Sequence, residues 1–389
     1  MTHPDDRKIT VAIVISNLEY GGAQQQVVEL ANNLDPETFD VHVISLAHIV
    51  PLAANLEIPA DRRHIVAKRW KYDFTLPIKL ASLLRSIDAQ IVHGFLFDAE
   101  IACRLAARVA GIPICIGSER NCDYSRSKIQ LSAYRITRSL QTSCVANTNA
   151  GASFNSKLLG YPLDHYAVVH NGVNISRFRP ADGVAVRARH NIGQDEIVIG
   201  VFGSFKAQKN HKLFFRAANV LAAKHDNLKF LLVGDQLYGG IHGSDRYKEE
   251  INDLVDALEI RQLCVFAGNQ EQVEEYYRAC DLTVLPSKHE GMPNVVLESL
   301  ASGVPVVATD VSDNRLLIPH GEVGFLVPSD DLDKLVEYVS KLVGDRALRQ
   351  RMSEQAVIWI EQHFSAKKMA QKMAQTYEDF ICPAMRITK

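Results

Sequence analysis

Short apolar runs rich in β-branched residues recur along the chain, each followed by a polar turn and then by a segment with helical spacing of its apolar positions. In the first half the runs fall at 11–15, 41–46, 64–67, 91–92, 114–116, 143–146 and 167–169. In the second they fall at 197–202, 228–233, a stretch ending in Phe266, Ala267 and Gly268, then 282–285, 306–308 and the GFLVP run from Gly324. Helical segments such as 101–110, 127–137, 332–343 and 346–359 separate them. Runs that are apolar throughout suit strands buried on both faces, so the pattern predicts α/β structure with doubly wound parallel sheets.

The pattern restarts once. A chain of 389 residues is too long for one ordinary core and fits two domains. Asn171-Gly172 reads as a turn, and Pro180 with Ala181, Asp182 and Gly183 reads as a linker, so the boundary is expected at 180 with domains 1–180 and 181–363. The last stretch, 364–380, places Met369, Met373, Tyr377 and Phe380 on one helical face. A cleft between two such domains is a usual place for a small-molecule site.

Residues 282–310, LTVLPSKHEGMPNVVLESLASGVPVVATD, form the most informative stretch. They read as strand, loop, helix, strand. Pro293 suits the first turn of the helix, Val295, Val296, Leu297 and Leu300 supply its apolar face, and Gly303-Val304-Pro305 ends it. Polar residues therefore gather at the carboxyl end of the first strand, where open α/β sheets bind ligands and where a helix N-terminus, here at Asn294 and Val295, offers amides to a phosphate. Glu290 in the loop and Glu298 one turn into the helix frame that place, one able to reach a reacting group and the other a more distant part of the same ligand.

Two further loops carry candidate chemistry. After the strand at 197–202 comes GSFKAQKN, where Gly203 permits a close turn and Lys206 and Lys209 bring cations that can neutralise an anionic ligand. After the first strand, Gly21-Gly22 lets a ligand approach the backbone closely, although it lacks the spacing of a GxGxxG dinucleotide fingerprint. His93 closes QIVH, and Ser118-Glu119-Arg120-Asn121 closes PICIG. Arg120 has two readings, a contact to phosphate or an anionic acceptor, or a salt bridge to Asp98, Glu119 or Asp123. QLYGGIHGS after Asp235 reads as an insertion, and Asn269, beside Gly268, as a residue able to meet a base.

Composition narrows the class. With 47% hydrophobic and 23% charged residues and a formal charge of -2, the chain has no electrostatic reason to bind nucleic acid. Seven cysteines, at 103, 115, 122, 144, 264, 280 and 382, form no C-x-x-C pair, which fits buried thiols in a reducing compartment. The polar start MTHPDDRKI is not read as a signal peptide, and no apolar run is long enough to span a bilayer, so a cytoplasmic setting is expected.

The pair Glu290 and Glu298 within EGMPNVVLES resembles the E-x7-E signature of the retaining glycosyltransferases of family 4 (GT4). GGA at 21–23, with Gln24 in place of the common Glu, and NGV at 171–173, with Asn174 where Asp is common, resemble other parts of that family. The resemblance implies a GT-B architecture, two Rossmann-like domains facing across a cleft, with the last helix packing back on the N-terminal, acceptor-side domain and the C-terminal domain holding the nucleotide sugar. It implies Glu290 at the donor sugar, Glu298 on the ribose hydroxyls, His93 near the donor sugar from the opposite domain, and Lys209 on the diphosphate. Gly22, Gly203, Lys206, Asn294 and Val295 complete the donor-binding set. The family Arg after the glycine is replaced by Ser204, so Lys206 is the candidate for its task.

The function implied is transfer of a hexose-type unit from a nucleoside-diphosphate sugar, such as a UDP-sugar, to a saccharide or polyprenyl-linked acceptor, with retained anomeric configuration. No metal or cofactor is expected. A setting in cell-surface or extracellular polysaccharide assembly, with peripheral contact to the inner membrane face, also follows from the resemblance. Two alternatives stay open: another enzyme of the same architecture, above all a nucleotide-sugar epimerase, and a non-catalytic nucleotide or carbohydrate binding protein.

Overall fold

The computed structural model describes residues 8–70, 73–120, 126–235 and 244–387, and for 244 and 382–387 the backbone alone. The insertion at 236–243, residues Asn121, Cys122 and Asp123, and the Cys382 side chain lie outside what is described. Two compact units divide the chain, Met1–Gly172 with Ala366–Lys389, and Val173–Ser365.

The first unit is built on a parallel sheet of seven strands: β1 (Ile9–Ile15), β2 (Phe39–Ser45), β3 (Arg63–Ile65), β4 (Ile91–Phe95), β5 (Ile114–Glu119), β6 (Ser143–Ala146) and β7 (Tyr166–Val168). Their order is β3-β2-β1-β4-β5-β6-β7, so the winding reverses between β1 and β4. Val11 to Ile15 are wholly buried because helices cover both faces. One face packs against helices Gly22–Asn33 and Ala366–Ile387, the other against Leu76–Ser86 and Phe97–Ala110. Met369, Met373, Tyr377 and Ile381 are the residues of the last helix buried there.

The second unit repeats the plan with β8 (Ile197–Phe202), β9 (Leu228–Val233), β10 (Cys264–Gly268), β11 (Leu282–Leu285), β12 (Val306–Thr309) and β13 (Gly324–Val327). The order β10-β9-β8-β11-β12-β13 reverses between β8 and β11. Such a switch point leaves a crevice at the carboxyl ends of the two strands, since their following loops turn to opposite faces. The loop after β8 carries Lys206 and Lys209, and the loop after β11 carries Glu290 and leads into the helix that carries Glu298.

Three local features differ from the sequence reading. The run 173–180 packs with the second unit: the Val173 amide donates to the Phe364 carbonyl at 2.9 Å, Phe178 is fully buried, and Arg177 pairs with Glu274 at 2.8 Å. His93 stands within β4 rather than ending it, and Ser118 and Glu119 within β5, because the ladder continues past the apolar run, pairing His93 with Ile13 and Ile116. Pro293 is the N-cap of helix Asn294–Ala301, and Val295 is only partly buried, whereas Val296, Leu297 and Leu300 are fully so. Among the described residues, Cys103, Cys115, Cys144 and Cys280 are buried free thiols, and no helix is long and apolar enough to cross a membrane.

Candidate functional site

The loop after β8 is pinned before it presents its lysines. Gly203 takes φ +136°, in the region that favours glycine, and a Cβ there would press on the Lys209 stem at 3.4 Å. Gly234 backs it so closely that a Cβ would stand 2.3 Å from the Gly203 carbonyl oxygen. Phe205 is buried and stacks on His211 at 4.7 Å between centroids, and the Asn210 amide donates to Asp330 at 2.8 Å. Between these anchors, Lys206 and Lys209 are both half-buried.

The loop after β11 meets it. Lys209 Nζ donates to Glu290 Oε1 at 2.8 Å, an ion pair with both side chains largely shielded, Lys209 at 18% and Glu290 at 8% exposure. Gln208 clips the two loops together, donating from Nε2 to the His289 carbonyl at 2.7 Å and accepting from the Lys288 amide at 2.8 Å. Burial lowers the ammonium pKa of Lys206, and the nearby Lys209 charge lowers it further while Glu290 opposes the shift. Three charges, two positive and one negative, therefore share one small field, with a net positive charge where an anion would be welcome.

Glu298 is fixed from beneath. It is 6% exposed, and its Oε2 accepts a hydrogen bond from the buried Tyr277 hydroxyl at 2.9 Å. The Tyr277 ring lies on Phe202, the last residue of β8, at 3.8 Å and 13°. Asn294 and Val295 open the helix two residues after Met292, with Pro293 as its N-cap. Glu290, Lys206, Lys209, Glu298, Gly203, Asn294 and Val295 thus all lie on the two loops and one helix at the β8–β11 switch point.

The remaining candidates belong to the first unit. Gly22 is the first residue of helix Gly22–Asn33, and Gly21 is its N-cap. A Cβ on Gly21 would stand 2.4 Å from Gln24 Oε1, and Gln24 Nε2 donates to Asn17 at 2.8 Å, so the glycine makes room for that side chain. His93 is wholly buried. It shares a hydrogen bond of 2.8 Å between Nδ1 and the Tyr377 hydroxyl, and its ring tilts on Phe95 at 4.4 Å. Burial, with the Arg120 charge, pushes its pKa down to about 3, so the ring is neutral near physiological pH. Arg120 stands over the Phe95 ring at 5.2 Å.

Sequence reasoning missed Tyr277, Gln208 and the His93 contact of Tyr377. Each works through a partner at least twenty residues away in sequence, and nothing in the local pattern marks it. Among the described residues no group of three or more His, Cys, Asp or Glu could hold a metal ion.

Residues 185–359 match the family described as glycosyl transferases group 1, and residues 20–177 match Glycosyltransferase Family 4. The chain is 28% identical over 366 residues to a D-inositol 3-phosphate glycosyltransferase of Streptomyces avermitilis, covering 86% of this chain and 78% of the relative. It is 24% identical over 395 residues to the UDP-Gal:alpha-D-GlcNAc-diphosphoundecaprenol alpha-1,3-galactosyltransferase of Escherichia coli, covering 96% of this chain and 98% of the relative. Among solved structures it resembles Anabaena HepE in complex with UDP, with a TM-score of 0.82 at 18% identity over 95% of this chain and 100% of that one. That likeness is one of fold.

Proposed function

The chain belongs to the GT-B glycosyltransferases of family 4 and group 1, and from that premise we propose how its own residues divide the work. It transfers a sugar from a nucleoside-diphosphate sugar to an acceptor. The second unit takes the donor and the first unit the acceptor. The observation that carries this assignment is the meeting of Lys209 and Glu290 at 2.8 Å at the β8–β11 switch point, with Glu298 held one turn into the adjoining helix.

The diphosphate lies against Lys206, Lys209 and the amides of Asn294 and Val295. In the free enzyme Glu290 already neutralises Lys209. When a diphosphate arrives, Lys209 serves both anions, and Glu290 is left aimed at the sugar. Glu298 accepts from the ribose hydroxyls while Tyr277 holds its other side. Gly22 keeps the loop after β1 free of side-chain bulk.

Transfer proceeds on one face. The bond from the anomeric carbon to the diphosphate oxygen breaks, the bond to the acceptor oxygen forms, and the acceptor proton passes to the departing phosphate. Positive charge at Lys206 and Lys209 stabilises that phosphate most when its own charge is greatest, which is the requirement for lowering the barrier. Configuration is retained, and no divalent metal is needed. The names of the Streptomyces and Escherichia coli relatives, which specify an inositol phosphate and a diphosphoundecaprenol-linked sugar, support a saccharide or lipid-linked acceptor. We assign the enzyme to cell-surface polysaccharide assembly in the cytoplasm, with peripheral contact at the inner membrane face.

The test is product analysis with purified protein, a panel of nucleotide sugars, a lipid-linked acceptor extract and excess chelator. Labelled sugar should move to the acceptor with its anomeric configuration unchanged and nucleoside diphosphate released. Conversion of the donor without an acceptor would instead identify an epimerase, and dependence on added Mg or Mn would overturn the metal-free reading.

A further inference from the structure

At the carboxyl edge of the first unit, one arginine lacks, among the described residues, the counter-charge its neighbours have. Arg104 faces Glu100, and Arg126 pairs with Glu119 at 2.5 Å. Arg120 has no ion-pair partner among the described residues. Two carboxylates that could have served it are engaged elsewhere, Glu119 with Arg126 and Asp98 with Lys68.

Register places more unsatisfied polar atoms beside it. Partners in a parallel ladder share a face and residues alternate along a strand. His93 pairs with Ile116, so Ser118 lies on the same face, and Ser118 pairs with Phe95 on β4 and Val145 on β6. By the same alternation Asn147, whose amide continues the ladder to the Glu119 carbonyl at 3.1 Å, follows on that face. This is the face covered by the last helix, through Met373 and Tyr377. Four buried atoms there have no hydrogen-bond partner: His93 Nε2, Ser118 Oγ, Arg120 Nε and Asn147 Oδ1. Native interiors leave few such atoms, and four on one face of three adjacent strands and the turns that follow them ask for a ligand.

We propose that Arg120, with Ser118, His93 and Asn147, forms a subsite for the phosphate ester of a sugar, free or lipid-linked, as part of the acceptor; this rests on the glycosyltransferase reading. Arg120 supplies the charge and Ser118 a hydroxyl donor. If Tyr377 donates to His93 Nδ1, the imidazole proton sits on Nε2 and becomes a third donor. Asn147 Nδ2 is committed to the Arg120 carbonyl at 3.2 Å, which orients Oδ1 as an acceptor and suits it to a sugar hydroxyl beside the phosphate. Burial holds the Arg120 guanidinium pKa down to about 10, and an anion bound beside it would raise it again.

Calorimetric titration of the full chain with glucose 1-phosphate, farnesyl-diphosphate-linked GlcNAc, inorganic phosphate and glucose tests this, with UDP titrated in parallel. Arg120→Met should bind both sugar phosphates ten- to a hundredfold more weakly, as for a lost charged hydrogen bond, and leave UDP affinity unchanged. Lys209→Ala should do the reverse. Arg120→Lys should retain most of the sugar phosphate affinity, and glucose should bind poorly throughout. Tighter binding of the farnesyl compound marks a lipid-linked acceptor, and tighter binding of glucose 1-phosphate a free one. Thermal unfolding supplies the second readout: Arg120→Met should hold or raise the Tm, because it removes a buried charge that has no ion-pair partner among the described residues. Unchanged sugar phosphate affinity in Arg120→Met, or a lowered Tm with that affinity intact, overturns the subsite. Failure of the wild-type protein to bind UDP would instead remove the donor reading while leaving the subsite result in place.

Discussion

Tyr277 donates its hydroxyl hydrogen to Glu298 Oε2 at 2.9 Å while its ring lies on Phe202 at 3.8 Å between centroids. Burial and the Glu298 charge push the phenol pKa well above its usual value, so this hydroxyl stays a donor. The contact ties a carboxylate of the second unit to the strand whose loop carries the lysines. It predicts that Tyr277→Phe acts on donor binding rather than on chemistry. A hydrogen bond to a charged group is worth about 1.5 to 3 kcal/mol, so donor KM should rise roughly tenfold or more with kcat little changed. Steady-state kinetics with varied donor checks it, and a fall in kcat at constant KM would show that Glu298 acts on the reacting sugar.

Ser204 stands where the resemblance to GT4 implies an arginine, and Lys206 is near enough for the Lys209 charge to lower its pKa. Lys206→Ala should therefore reduce kcat/KM by roughly tenfold to a hundredfold, as expected for losing a charged hydrogen bond made in the transition state. Lys209→Ala should be worse, since it also releases Glu290. Ser204→Arg added to Lys206→Ala should restore part of the loss. Wild-type kcat/KM in Lys206→Ala would leave Lys209 alone on the diphosphate.

How much of this was legible in sequence depended on whether the signal was local. The β11 strand, the helix opening at Asn294 and the stop at Gly303 each follow from neighbours in the chain, and with them came the positions of Glu290 and Glu298. The extent of β4 was not legible, because His93 and Gly94 break the apolar run while the ladder to Ile13 and Ile116 carries them. The spacing of Met369, Met373 and Tyr377 marked a buried helical face, but nothing local names the sheet that buries it. Tyr277 and Gln208 were invisible for the same reason, since their partners Glu298 and His289 come from other elements. Pro180 misled: it reads as a linker, yet Phe178 just before it is fully buried in the second unit's core.

His211 is 1% exposed, stacked on Phe205, and its pKa is pushed down to about 3 by burial and by the Lys209 charge. The folded value lies below the unfolded one, so the neutral ring contributes stability that is fully present above about pH 6.5 and is lost as pH falls toward 3. One such histidine makes unfolding easier by about 1.4 kcal/mol at pH 5.5 than at pH 7.5. Denaturant titrations at those two pH values should show His211→Phe with a smaller acid loss than the wild type by about that amount. Equal losses in the two proteins would mean the ring is protonated in the folded state.

The central claim is that Glu290 meets the reacting sugar while Glu298, eight residues on, holds the ribose. Donor-dependent kinetics of Glu290→Gln and Glu298→Ala, measured side by side on the purified enzyme, test it most directly. Removing an interaction made mainly in the transition state lowers kcat, whereas removing uniform binding raises KM. Glu290→Gln should therefore lose most of its turnover with donor KM near the wild-type value, and Glu298→Ala should keep turnover at saturating donor with a raised KM. Full turnover in Glu290→Gln would contradict the account.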